Sequence, residues 1–153
     1  MPPIAVGQKA PEFTLKNQDM QEVSLASLKG QPVVLAFYPL DFSPVCSNEH
    51  ACFTNDLKQF EGLNARVLGI SVDSPFAHKA FAEKLRISYP LLADFHPKGD
   101  VARKFGLYIE EKGITNRATV ILDKDGVVRF VKVYDIPTAR DNAEILEALK
   151  KLG

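Results

Sequence analysis

A chain of 153 residues is long enough for one domain, and a hydrophobic content of 46% is enough for a real core. Lysine plus arginine and aspartate plus glutamate balance at 19 each, so nothing in the charge invites a nucleic acid or another polyanion. No stretch reaches the roughly 20 apolar residues that cross a membrane, and the start, Met1-Pro2-Pro3-Ile4-Ala5, lacks the apolar segment of a secretory signal, so a cytoplasmic protein is expected.

Residues 1–10 read as an ordered lead-in without regular structure. Phe13 to Leu15 and Glu22 to Leu25 alternate apolar and polar around Asn17-Gln18-Asp19, which predicts a short β-hairpin. Ser27 to Pro32 is a turn into a strand over 33–38, whose run Val33-Val34-Leu35-Ala36-Phe37 is apolar enough to be buried. A helix follows from about Val45 to Phe60, with Phe53, Leu57 and Phe60 on one inward stripe. Arg66 to Asp73 is the next strand, covered on both faces. Ser74 caps and Pro75 opens a helix running to about Leu85. Leu91-Leu92-Ala93 is a short strand, Gly99 to Phe105 a short helix, and Glu110 to Gly113 a polar loop. Thr119 to Asp123 and Val127 to Tyr134 are strands joined through Asp125-Gly126, a strong hairpin signal. The last helix runs from about Thr138 to Leu152, with Ile145, Leu149 and Leu152 inward. The order ββ-β-α-β-α-β-α-β-β-α predicts an α/β domain spanning 1–153: a mixed sheet flanked by helices, preceded by a β-hairpin. This is the element order of a thioredoxin-like fold.

The chemistry gathers where the buried strand turns into its helix, at Tyr38-Pro39-Leu40-Asp41-Phe42-Ser43-Pro44-Val45-Cys46-Ser47-Asn48-Glu49. Cys46 sits at the start of a helix, where free N–H groups and the positive dipole end favour a thiolate. Pro39 fixes the chain leaving the strand, and Ser43 places a hydroxyl three residues before the sulfur. Arg117, at the mouth of a strand, is the best candidate for a cation that stabilises negative charge in such a site.

The spacing P-x-x-x-S-x-x-C resembles the active-site signature of the peroxiredoxins, thiol peroxidases, and Glu49 matches their acidic position. Arg117 before a strand ending in Asp123, the stretch Ile70 to His78, and Leu91-Leu92-Ala93-Asp94 are similar to three further segments of that family, in the same order. The resemblance covers residues 10–150. It is closest to the short one-cysteine AhpE type, with features of the bacterioferritin-comigratory type. It implies reduction of hydrogen peroxide and organic hydroperoxides through a sulfenic acid on Cys46. Pro39, Ser43 and Arg117 would shape the pocket and Glu49 would orient the arginine, with no metal, haem or flavin. A thioredoxin- or glutaredoxin-like reductant and a homodimer packed through the loops around the site are implied partners, with Leu40 and Phe42 offering apolar surface.

Cys52 is the departure from pattern. The comigratory type resolves with a cysteine five residues along the helix, and here the offset is six. Six helical residues rise about 9 Å, whereas disulfide Cα atoms lie within roughly 7 Å, so an internal bond requires the helix start to unwind. Cys52 is therefore a resolving cysteine, a buried small hydrophobe beside Phe53, or one end of an intermolecular disulfide. Cys46, His50 and Cys52 also invite a metal, but the two cysteines fall on different helical faces and no fourth ligand is evident. His78 and His96 are single and read as structural. The rival to a peroxidase is a redox-sensing or chaperone-like binding module. A thiol–disulfide oxidoreductase would show C-x-x-C at this helix start, which the chain lacks.

Overall fold

The computed structural model describes residues 2–152, except for the side chains of Val45, Cys46 and Glu49. Strands β1 (Thr14–Lys16) and β2 (Glu22–Ser24) pair antiparallel. Their turn is held by the Asn17 carboxamide oxygen, which accepts from the N–H groups of Asp19 and Gln21. A 3-10 turn over Leu25–Leu28 then leads to β3 (Val33–Phe37), buried at every position. The chain continues through α1 (Pro44–Gly62), β4 (Arg66–Ser71), α2 (Pro75–Leu85), β5 (Leu91–Ala93) and α3 (Asp100–Lys104). Ser74 caps α2 as expected, its hydroxyl accepting from the Ala77 N–H.

A small hairpin of β6 (Tyr108–Ile109) and β7 (Ile114–Thr115) replaces the plain polar loop that the sequence suggested; Glu110 to Gly113 form its tip. Two-residue strands are too short for alternation to register. Strands β8 (Arg117–Leu122) and β9 (Val128–Tyr134) form the Asp-Gly hairpin, in which the Asp123 carboxylate accepts from the N–H groups of Asp125 and Val127. The last helix, α4 (Asn142–Lys150), starts four residues later than its sequence pattern implied. Asp141 supplies its cap, accepting from the Ala143 N–H, and the preceding Arg140 turns into the core instead of joining the helix. The lead-in is ordered without regular structure, tied down by bonds from Ile4 to Phe105 and from Gly7 to Val128.

Seven strands form one mixed sheet in the order β2-β1-β5-β4-β3-β8-β9. β3 lies at its centre, parallel to β4 and antiparallel to β8. Because side chains alternate along a strand, β3 feeds two cores. Val33, Leu35 and Phe37 pack with Phe13, Val101 and Phe105 on the α3 face. Val34, Ala36 and Tyr38 pack with Phe53, Phe60, Phe81, Ile145 and Leu149 from α1, α2 and α4 on the other. Helices thus cover both faces, and the turn from β3 into α1 emerges at one end of the sheet.

Candidate active site

The register of the central strands decides what meets at that turn. Phe37 pairs with Ala118, so Arg117 stands one residue beyond the end of β3, level with the chain as it enters the turn. Arg117 is 1% exposed and is among the largest fully buried side chains. Its Nε donates to the Ile136 carbonyl at 2.8 Å. Pro39 is buried in the same turn. Ser43 stands at the N-cap position of α1, but its hydroxyl turns back and donates to the Leu40 carbonyl at 3.2 Å. Pro44 follows as the first helical residue. Helix geometry leaves the N–H groups of Val45 and Cys46 without acceptors inside the helix, at its positive dipole end. Pro39, Ser43 and Arg117, separated by up to 78 residues in sequence, therefore share one end of the sheet with the start of α1. The backbone of Cys46 and Glu49 lies in the first turns of α1; their side chains lie outside the described residues.

A second guanidinium reaches the same region, and sequence reasoning missed it. Arg140, only 7% exposed, donates to the Phe37 carbonyl at 2.6 Å, to the Ala118 carbonyl at 2.8 Å and to the Thr119 hydroxyl at 3.0 Å. It ties the ends of β3 and β8 together from the loop before α4, lying over the rings of Phe53 and Tyr134. His50 lies one helical turn after Cys46. His50 is buried among Tyr38, Phe53, Phe81 and Tyr89, with Nδ1 against the Tyr89 hydroxyl. Burial drives its pKa well below the ordinary histidine value, and Arg140, His78 and Arg117 push it the same way.

The chain and its fold find counterparts among known proteins. Residues 6–131 match the family model described as the AhpC/TSA family. Over 150 residues, the chain is 37% identical to alkyl hydroperoxide reductase E of Mycobacterium tuberculosis, covering 97% of this chain and 98% of that one. The chain belongs to the peroxiredoxins of the AhpC/TSA family. Its fold superposes on the crystal structure of peroxidoxin BcpB from Mycobacterium tuberculosis with a TM-score of 0.86 at 30% identity, covering 97% of each chain. The crystal structure of Enterococcus faecalis AhpC gives 0.88 at 31% identity, covering 95% of this chain and 90% of that one. The thioredoxin-like mixed sheet is the fold of these relatives, and this peroxiredoxin is, like the family, a thiol-dependent peroxidase. The relatives speak for an enzyme and not for a binding module on the same fold.

The remaining residues singled out in the sequence divide cleanly. Cys52 is exposed, which overturns its reading as a buried small hydrophobe. The inward stripe of α1 runs through His50, Phe53 and Phe60, and Cys52 is off that stripe. His50 and Cys52 accordingly leave α1 on different sides, which separates two members of the Cys46, His50 and Cys52 trio. His78 is structural, as expected: it is fully buried, with Nδ1 2.7 Å from an Asp41 carboxylate oxygen and Nε2 3.1 Å from the Leu92 carbonyl. Asp41, Asp73 and His78 bring ligand-type atoms within 4.8 Å of one another. These atoms are engaged with Tyr38, Ser71 and the Asp41 N–H, so the cluster is knit together by hydrogen bonds. Burial and the neighbouring Asp41 raise the pKa of Asp73. A cavity of about 670 Å³, lined by Pro32, Asn64, Lys124 and Lys150, opens at the opposite end of β3 and takes no part in this site.

Proposed function

We propose that this peroxiredoxin reduces hydrogen peroxide and organic hydroperoxides with Cys46 as the attacking residue. The Cys46 thiolate attacks one peroxide oxygen. The S–O bond forms as the O–O bond breaks, and the other oxygen leaves as hydroxide or alkoxide and is protonated to water or alcohol. The sulfur is left as a sulfenic acid. A second thiol, that of Cys52 or of an external donor, condenses with it and releases water. The resulting disulfide is opened by a thioredoxin- or glutaredoxin-like dithiol, which is oxidised in turn. Ser43 hydrogen-bonds the peroxide, Pro39 shapes the pocket, Arg117 stabilises the charge developing on the leaving oxygen, and Glu49 orients Arg117.

The observation that carries this reading is the full burial of Arg117 at the end of β3, beside the turn into α1. A guanidinium fixed there places positive charge beside the turn, where charge developing on a leaving oxygen would be stabilised. We further propose a cytoplasmic homodimer packed through the loops at this end of the sheet. Its support is the exposure of Leu40, Phe42, Phe76 and Phe95, which all lie in or beside the segments following β3, β4 and β5. Exposed aromatic clusters of this kind mark interaction surfaces.

The exposure of Cys52 favours a partner that reaches it from solvent, or an opened α1, over a bond formed within the intact helix. Intact-mass analysis after one equivalent of hydrogen peroxide tests the scheme on wild type and Cys52→Ser. Loss of two hydrogens in wild type, replaced by one added oxygen in the variant, identifies Cys52 as the resolving residue. One added oxygen in both makes the enzyme one-cysteine in mechanism. Turnover retained in Cys46→Ser would overturn the assignment of the attacking residue.

A further inference from the structure

The loop that carries Ser43 is fastened to the core two residues earlier. Asp41 lies between the exposed Leu40 and the half-exposed Phe42, yet its own side chain is only 1% exposed. One carboxylate oxygen accepts from the Tyr38 hydroxyl at 2.5 Å, and the other lies 2.7 Å from His78 Nδ1. The Asp41 N–H donates to Asp73 at 2.9 Å, onto an oxygen that also accepts from the Ser71 hydroxyl at 2.6 Å. His78 is held on its far side by the Leu92 carbonyl. Contacts from the end of β3, from the segment after β4 and from α2 therefore converge on one residue of an irregular loop, and Ser71 of β4 and Leu92 of β5 brace two of those partners from behind.

Both neighbours of Asp41 bear on Ser43. Phe42 holds a left-handed backbone with φ of 68°, a conformation that a bulky residue keeps only when its surroundings enforce it. Its ring packs on Phe81 of α2 at 5.1 Å, under Lys84. On the other side, Leu40 presents the carbonyl that receives the Ser43 hydroxyl proton. A hydroxyl has one proton and two lone pairs. With the proton committed to Leu40, the Ser43 oxygen faces an incoming molecule as an acceptor.

We infer that Asp41 is a positioning residue for peroxide: by fixing the Leu40 carbonyl and the left-handed Phe42, it holds the Ser43 hydroxyl turned back, so that its oxygen accepts the peroxide O–H. The inference rests on the reading of Ser43 as a peroxide-binding residue. Asp41 touches neither substrate nor sulfur in this arrangement, and acts through Ser43.

The test is a double-mutant cycle of Asp41→Ala and Ser43→Ala. Two rate constants are measured: oxidation by hydrogen peroxide, and alkylation of Cys46 by iodoacetamide followed on the Cys46 peptide by mass spectrometry. A misplaced hydroxyl lowers the peroxide rate by about tenfold to a hundredfold while alkylation, which needs no Ser43 acceptor, changes less than about twofold. In the Ser43→Ala background, Asp41→Ala adds less than about twofold, because both changes remove the same contact. Asp41→Asn, which keeps an acceptor for Tyr38, restores most of the loss. Should Asp41→Ala fail to fold by circular dichroism, Tyr38→Phe removes one anchor and is expected to show a smaller loss with the same non-additivity. Multiplying losses, or equal losses in peroxide and alkylation rates, would overturn the inference. A Ser43→Ala enzyme with the wild-type peroxide rate would instead overturn the role of Ser43 itself, and the inference with it.

Discussion

Replacing His50 by leucine should remove a defined share of the acid sensitivity of this protein. His50 is 1% exposed, its Nε2 has no hydrogen-bond partner among the described residues, and its pKa is held well below the histidine value of 6.5 by burial and by the nearby cations. The unfolded chain, with an ordinary histidine, takes up a proton as pH falls through about 6.5, whereas the folded protein does not. Protons bound to the unfolded state alone pull the equilibrium towards it, so stability present above about pH 6.5 is lost as pH falls below that value. The slope approaches about 1.4 kcal/mol per pH unit, and integration from about pH 7 to about pH 5 gives roughly 1.9 kcal/mol. His50→Leu loses the bond to Tyr89, an offset that does not depend on pH, but it escapes this term. Urea titrations of both proteins across that range, followed by circular dichroism, give the stability difference at each pH. Wild type should fall relative to the variant by roughly 2 kcal/mol on going from about pH 7 to about pH 5. A difference that stays constant with pH would mean that His50 accepts its proton within the fold, and would refute the buried neutral ring.

Arg117→Ala should slow peroxide attack by roughly a hundredfold to a thousandfold, the usual effect of removing one charge-stabilising donor; competition kinetics against a reference peroxidase measures it, and an unchanged rate would remove Arg117 from the mechanism. Arg140→Met strips donors from the Phe37 and Ala118 carbonyls, both buried, and should cost about 3 kcal/mol, seen as a Tm lower by about 6–12 °C. Gly69→Ala would place a Cβ 2.8 Å from Leu91 Cδ2 and 3.2 Å from the His50 ring; it should destabilise by about 1–3 kcal/mol in a urea titration, and a neutral effect would show that the packing around His50 has slack.

What the sequence made legible was local. β3 announces itself through five consecutive apolar residues, and the start of α1 through Ser43 and Pro44, so the turn between them was legible. Long-range pairing was less visible. Arg140 bonds a carbonyl 103 residues away, and His78 meets an aspartate 37 residues away; neither partner carries a pattern that points to the other, and only strand register and helix docking bring them together. The buried alternative for Cys52 fails for a different reason: it rests on the general tendency of free cysteines to be buried, which says nothing about the face that position 52 takes on α1. The inward stripe of α1 runs back to His50 in the structure and leaves Cys52 outside.

The site draws its positive charge from arginines, and this choice has a kinetic consequence. A guanidinium stays charged throughout the range in which proteins function, so a leaving oxygen assisted by one meets a constant charge. A histidine would not provide this: its cation fades above about pH 6.5, and His50, the histidine nearest Cys46 in sequence, is kept neutral by burial and by Arg140 and Arg117. The rate of peroxide attack should therefore rise with pH through a single ionisation, that of the attacking thiol, and then stay level to about pH 8. Stopped-flow rates across this range distinguish the alternatives. A descending limb between about pH 6 and pH 8 would show that the cation assisting the leaving oxygen is a histidine after all, and would transfer to it the role assigned to Arg117.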